Sequence, residues 1–331
     1  MPENQNQQNP QTSGVFTLLQ PPKLYGVFAL VLLGLAAFLF VGVYTHGAEP
    51  AEPQSAATAA STDPFVDTQL QARAAIVIDL ATGKTLYALN PDAQLPLASL
   101  TKVSLALAVA EVLDADSFIT IPYDTAMTIG GQRLKAGQTW HVQDVINFTL
   151  IASSNEGAEM LADAAGTAIR AKYPDAPREG SARSATLWRM NNFAAASGFT
   201  GMYFLNVSGL DESETLGGAF GTARSVANLY AYAARTAPTT FTATTEDGLL
   251  MDDREGDTTA AFNTNEALGA IPGLIMGKTG YTNLAGGNIA VVYDVGLARP
   301  VVAVVLGSTH AGRFSDVKQL VEATRVAIAS Q

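Results

Sequence analysis

Ser99 and Lys102 stand three residues apart in the stretch Leu97-Ala98-Ser99-Leu100-Thr101-Lys102, and their types are those of a nucleophile and a base. If Ser99 opens a helix, the two share a face with Cβ atoms about 5–6 Å apart, so their side chains can meet. From Val103 to Leu113 the chain carries no charge before Glu111 and is apolar nearly all round, the composition of a buried helix. Burial disfavours an ammonium, and so does the positive end of a helix dipole. Lys102 is therefore expected to be pushed toward a neutral amine that can take a proton from Ser99, a recognised alternative to a Ser-His pair. The same spacing also describes a serine cap followed by a lysine that snorkels along apolar surface, so the pair alone leaves both readings open.

The elements that would have to position this pair must come from a chain of 331 residues, enough for one large or two ordinary domains and, at 48% hydrophobic residues, for a full core. A formal net charge of -11 argues against nucleic-acid or anionic-lipid-surface partners. There is no cysteine, which removes thiol catalysis, cysteine zinc sites and disulfides. With only His46, His141 and His310, and neither a His-Glu-x-x-His nor a Gly-x-Ser-x-Gly motif, a histidine metal cluster is not expected.

Residues 1–23, rich in Gln, Asn and Pro, read as a disordered cytoplasmic tail. Leu24 to Tyr44 is apolar without one charge and matches the roughly 20 residues that cross a bilayer as a helix. A cleaved signal peptide would have a shorter apolar region and a more basic lead, so an uncleaved transmembrane anchor is the reading taken. Lys23 precedes the span while acidic residues follow it, which puts the rest of the chain outside the cytoplasmic membrane. Residues 45–64 read as a linker and residues 65–331 as the folded domain.

Within that domain, Ala74–Leu80 and Lys84–Leu89 flank a turn and predict a hairpin. Helical stretches are expected at His141–Ala152, Asn155–Ala165, Ser184–Ser197 and Thr222–Ala234, and a closing helix at Ser315–Ala329. The acidic segment Thr244–Thr258 reads as a solvated insertion, since its spacing does not fit a calcium loop. Leu274–Tyr281, Asn288–Val295 and Pro300–Gly307 are β-rich runs separated by short turns. Strands at both ends and helices between predict an α+β fold: an antiparallel sheet flanked by helices, with an inserted helical subdomain.

Two further motifs lie downstream. Ser153-Ser154-Asn155 falls at a junction of helical stretches, where Ser153 to Glu156 also fits a helix capping box, and Lys278-Thr279-Gly280 ends a strand. In the order Ser-x-x-Lys, Ser-x-Asn, Lys-Thr-Gly they resemble the signature set of penicillin-recognising serine enzymes. The surroundings, Val77 to Tyr87, Pro96 to Lys102, Asn206 to Asp211, Asn263-Thr264-Asn265 and Gly277 to Thr282, are similar to the D-alanyl-D-alanine carboxypeptidase family from about Ala74 onward.

The resemblance implies a DD-peptidase/β-lactamase-like fold and a set of roles. Ser99 would attack the carbonyl of a D-Ala-D-Ala bond with Lys102 as base. Ser153 would relay a proton to the leaving amine, and Asn155 would hold both Lys102 and the substrate. Lys278 would polarise Ser153 and, with Thr279, receive the terminal carboxylate. Gly280 would let substrate lie along the strand edge, and the backbone N–H groups of Ser99 and Tyr281 would form the oxyanion hole. Arg313 falls where such enzymes place a carboxylate-binding arginine, although a surface arginine before a helix fits its sequence equally well. No cofactor or metal is required by this chemistry. The implied partners are the D-Ala-D-Ala terminus of peptidoglycan stem peptides and, as inhibitors, β-lactams. A DD-endopeptidase acting on cross-linked peptidoglycan, a class A-like β-lactamase and a non-catalytic cell-wall binding protein are the alternatives. The Glu-x-x-Leu-Asn setting of a β-lactamase is absent between Ser153 and Lys278.

Overall fold

The computed structural model describes residues 63–121, 134–296 and 298–330. The expected tail and transmembrane span, and the expected linker up to residue 62, lie outside them. Among the described residues no helix is long and apolar enough to cross a membrane. Pro64, counted with the linker, already belongs to a turn in which Asp63 Oδ1 accepts the Phe65 amide at 3.0 Å, and Phe65 is buried against Tyr87.

A continuous apolar run buried on both faces gives β1 (Ala74–Asp79), which pairs with β2 (Thr85–Leu89) as the expected hairpin. Asp79 closes its turn by accepting from the Ala81 amide and the Thr82 hydroxyl. The chain then forms β3 (Leu95–Pro96), a 3₁₀ turn at Ala98–Leu100 and α1 (Thr101–Ala110). The short strands β4 (Phe118–Thr120) and β5 (Thr139–His141) pair, and α2 (Val142–Ile151), α3 (Asn155–Lys172) and α4 (Ala182–Ala196) build the helical part. Strands β6 (Tyr203–Phe204) and β7 (Ala219–Gly221) join β3 in a small sheet, followed by α5 (Ala223–Thr236). A hairpin of β8 (Gly248–Asp252) and β9 (Thr258–Phe262) precedes β10 (Leu274–Thr282), β11 (Gly286–Asp294), β12 (Pro300–Ser308) and the closing α6 (Gly312–Ala329).

The main sheet runs β10-β11-β12-β1-β2, every neighbour antiparallel. Its centre is apolar on both faces because successive side chains alternate between two cores. Val301, Ala303 and Val305 of β12 pack with Phe314, Val317 and Leu320 of α6. Val302, Val304 and Leu306 face the core shared with α1, α2, α3 and α5. The α+β arrangement with an inserted helical part is thus the one expected, and α1 lies in the larger core as the apolar run demanded.

One expectation needs correction and another is completed. Ser99 does not open the α-helix: it sits in the 3₁₀ turn, and the helix runs from Thr101 to Ala110 rather than to Leu113. Ala98 has φ of +49°, a left-handed conformation that cannot extend a right-handed helix backwards past Ser99. The acidic segment is solvated through Glu246, Asp247, Asp252, Glu255 and Asp257, as expected, but it is an ordered, docked hairpin, which the sequence reading did not give. Its turn is ordered by Asp253, buried and accepting the Asp257 amide at 2.7 Å, and it is tied to β5 by the Arg254 amide and the Glu255 carboxylate, both on the Thr139 backbone.

Candidate active site

The 3₁₀ turn holds Ser99 half-buried at the base of α1, one turn ahead of a fully buried Lys102. Lys102 Nζ lies 2.7 Å from Ser99 Oγ, 2.8 Å from Asn155 Oδ1 and 2.9 Å from the Ser208 carbonyl. No carboxylate hydrogen-bonds to it among the described residues, and burial lowers its pKa to about 7. An amine with two hydrogens can satisfy Asn155 and Ser208, which turns its lone pair toward the Ser99 hydroxyl.

Backbone geometry places Ser99 and Ser153. Ala98 and Ser153 are both non-glycine residues at positive φ, +49° and +56°. Each costs about 1–3 kcal/mol that the surrounding packing must offset. Ser153 is the one residue between the C-cap of α2 and the N-cap of α3. The cap is Ser154, whose Oγ accepts the Gly157 amide at 3.0 Å, not Ser153 as the capping-box spacing allowed. Ser153 is left to accept a hydrogen bond from Lys278 Nζ at 2.9 Å.

Lys278 is buried on β10 and also donates to the Thr279 carbonyl at 2.9 Å. Burial, then the charges of Lys102 and Arg313, push its pKa well below the ordinary lysine range. Thr279, buried beside it, shares a 2.6 Å hydroxyl contact with Thr264. Gly280 is where the Ser99 turn backs onto the strand: a Cβ there would meet the Leu97 carbonyl and the Ser99 nitrogen at 3.0 Å and the Ala98 side chain at 3.1 Å. The glycine is thus required first by the close seat of the Ser99 turn, a role the sequence reading did not give it. Tyr281 is half-exposed at the strand end, its ring edge-on to His310 at 4.7 Å.

Arg313 is not a surface residue. It lies in the first turn of α6, 4% exposed, with Nε and Nη1 buried and without hydrogen-bond partners among the described residues. Burial lowers its pKa, opposed by the charge of Glu266. Lys102, Lys278 and Arg313 therefore form a chain of buried cations in which Lys278 feels the other two.

Four further residues support the site. The Ser208 carbonyl is the third partner of Lys102. Asn206 Oδ1 accepts the Gly209 amide at 2.7 Å, and Gly209, at φ +82°, abuts the Ala98 carbonyl so closely that a Cβ would lie 2.0 Å from it. Asn288 donates to the Pro96 carbonyl at 3.0 Å and accepts the Gly307 amide at 2.8 Å, tying the segment before Ser99 to the sheet. The Asn206 to Asp211 run stood out in the sequence only through its family resemblance, and Asn288 carried no signal.

The profile of a family described as D-alanyl-D-alanine carboxypeptidase matches residues 56–310. The chain is 28% identical over 240 residues to D-alanyl-D-alanine carboxypeptidase DacB2 of Mycobacterium tuberculosis, covering 72% of this chain and 75% of that protein. It is 28% identical over 283 residues to a D-alanyl-D-alanine endopeptidase of Pseudomonas aeruginosa, covering 82% and 83%. Among solved structures, penicillin-binding protein D2 from Listeria monocytogenes in its cefotaxime-bound form superposes with a TM-score of 0.63 at 27% identity, over 77% of this chain and 97% of that one.

Proposed function

The chain belongs to the D-alanyl-D-alanine carboxypeptidase family of serine-type hydrolases, and on that premise we propose that it trims the terminal D-alanine from peptidoglycan stem peptides through an acyl-enzyme on Ser99. The observation that carries this reading is the Lys102–Ser99 contact of 2.7 Å, made by a buried lysine whose pKa burial lowers to about 7 and which has no carboxylate hydrogen bond among the described residues.

In the proposed reaction, Ser99 Oγ attacks the carbonyl carbon of the D-Ala-D-Ala bond while its proton passes to Lys102 Nζ. The developing oxyanion is received by the backbone N–H groups of Ser99 and Tyr281. Ser153, polarised by Lys278, delivers a proton to the leaving amine and is resupplied with the proton Lys102 took from Ser99, so that the C–N bond breaks, free D-alanine departs and Lys102 is neutral again. Water then attacks the Ser99 ester while giving a proton to Lys102, which returns it to Ser99 Oγ as the shortened peptide leaves. Asn155 fixes Lys102 and meets the substrate backbone. Thr279, Lys278 and Arg313 receive the terminal carboxylate. An arriving anion favours the charged form of Lys278, so substrate binding itself restores the cation that burial suppresses. β-Lactams, which carry a carboxylate and a strained amide, would acylate Ser99 in the same way and stay bound.

The proposed setting is the outer face of a bacterial cytoplasmic membrane. Residues 1–23 would lie in the cytoplasm, 24–44 would span the membrane, 45–64 would link and 65–331 would act on the cell wall. The charge-free apolar run supports this reading. Endopeptidase action is the second reading, favoured by the similarity to the Pseudomonas aeruginosa endopeptidase. Mass spectrometry of pentapeptide monomers and of cross-linked dimers after digestion separates the two. Loss of only the terminal D-alanine is expected, and cleavage of dimers with intact monomers would overturn the carboxypeptidase reading.

A further inference from the structure

Arg313 reaches the cleft from a turn, Thr309–Ala311, that is anchored on both sides. The Thr309 hydroxyl donates to Gln71 and accepts the Gly312 amide, and the Thr309 carbonyl accepts the Arg313 amide. His310 stands on this turn between two parts of the site. Its ring packs edge-on against Tyr281, 4.7 Å between centroids at 80°, and its Nε2 faces Arg313 Nη2 at 3.5 Å. A guanidinium nitrogen only donates, so Nε2 is the acceptor in this contact. The groups facing His310 are Tyr281 from β10 and Arg313 from α6. Glu266 acts on Arg313 by charge, and no carboxylate hydrogen-bonds to His310 among the described residues.

Such a contact does two things. It takes one guanidinium nitrogen and fixes the plane of the other two, which are the buried ones without partners. It also joins the carboxylate-binding end of the cleft to Tyr281, whose backbone N–H belongs to the oxyanion end. Removing the imidazole removes the acceptor and frees the guanidinium to turn away from the cleft.

We propose that His310 is a positioning residue for Arg313, aiming its guanidinium at the substrate's terminal carboxylate. This rests on the reading of Arg313 given above. It predicts that loss of the imidazole acceptor weakens substrate binding without slowing the chemical step.

The test measures KM and kcat on a pentapeptide ending in D-Ala-D-Ala, at about pH 8, for the full chain and for His310→Gln and His310→Ala. His310 is exposed, so both variants should fold, and their melting temperatures check this. The glutamine carbonyl can still accept from Arg313. For His310→Ala KM should be raised about fivefold with kcat nearly unchanged, and His310→Gln should restore most of the affinity. An unchanged KM in His310→Ala, or a rise equally large in His310→Gln, would overturn the inference while leaving the reaction standing. Absence of both turnover and penicillin labelling in the unmodified enzyme would instead defeat the proposed reaction, and the inference with it.

Discussion

Two regions of this molecule bury charge, and they do so in opposite ways. At the turn of the first hairpin, Asp79 is fully buried and bound by Arg299 at 2.8 Å, by the Thr82 hydroxyl and by the Ala81 amide. Burial pushes its carboxyl up, but the hydrogen bonds and the Arg299 charge together outweigh this and hold it below the ordinary range. At the other end of the sheet, Lys102 and Lys278 have hydroxyl, amide and carbonyl partners, Arg313 has the His310 ring, and burial lowers all three. The first arrangement stabilises the fold. The second leaves like charges unneutralised, an arrangement that the proposed neutral base and anion-receiving site would use.

The difference can be broken from the reactive end first. Lys102→Arg keeps a cation but one that stays charged at any working pH. Its acylation by fluorescent penicillin should fall at least about a thousandfold, as should that of Ser99→Ala, in a rapid-quench labelling assay. Gly280→Ala presses on the Leu97 carbonyl and the Ser99 nitrogen and should slow acylation roughly a hundredfold, the scale expected when a nucleophile is shifted by a fraction of an ångström to one ångström. Lys278→Met should cost about tenfold or more in acylation while leaving the melting temperature unchanged or raised, since it removes a buried cation that repels its neighbours. Asp79→Asn should do the reverse: about 2 kcal/mol less stability by denaturant titration, with an unchanged acylation rate. If Lys278→Met unfolds the protein and Asp79→Asn abolishes labelling, the contrast between the regions is wrong.

Much of this was legible in the sequence where one local rule decided the outcome. β-rich runs bounded by short turns gave the first hairpin and the last three strands, and the uncharged run after Lys102 gave a helix buried nearly all round. The helical spacing brought Ser99 and Lys102 together even though Ser99 lies in a 3₁₀ turn, because that turn leads directly into α1. What was not legible depends on long-range contact. The strands Leu95–Pro96, Tyr203–Phe204 and Ala219–Gly221 are too short to show a period and exist only by pairing. The left-handed Ala98 has no signature in its own residue type, since its strain is held by Gly209 and Gly280 from distant parts of the chain. The burial of Arg313 follows from the close seat of α6 on β11 and β12, so its sequence neighbours could not separate a surface arginine from a buried one.

The central claim is that Lys102, kept near neutrality by burial, is the base that activates Ser99. The direct measurement is the rate constant of penicillin acylation against pH, taken at saturating penicillin so that binding does not enter. Only the neutral amine can accept the proton, so the rate should climb through about pH 7, where Lys102 titrates, and level off above it. A saturating rate that is flat from pH 5 to pH 9 would contradict the assignment of Lys102 as the base.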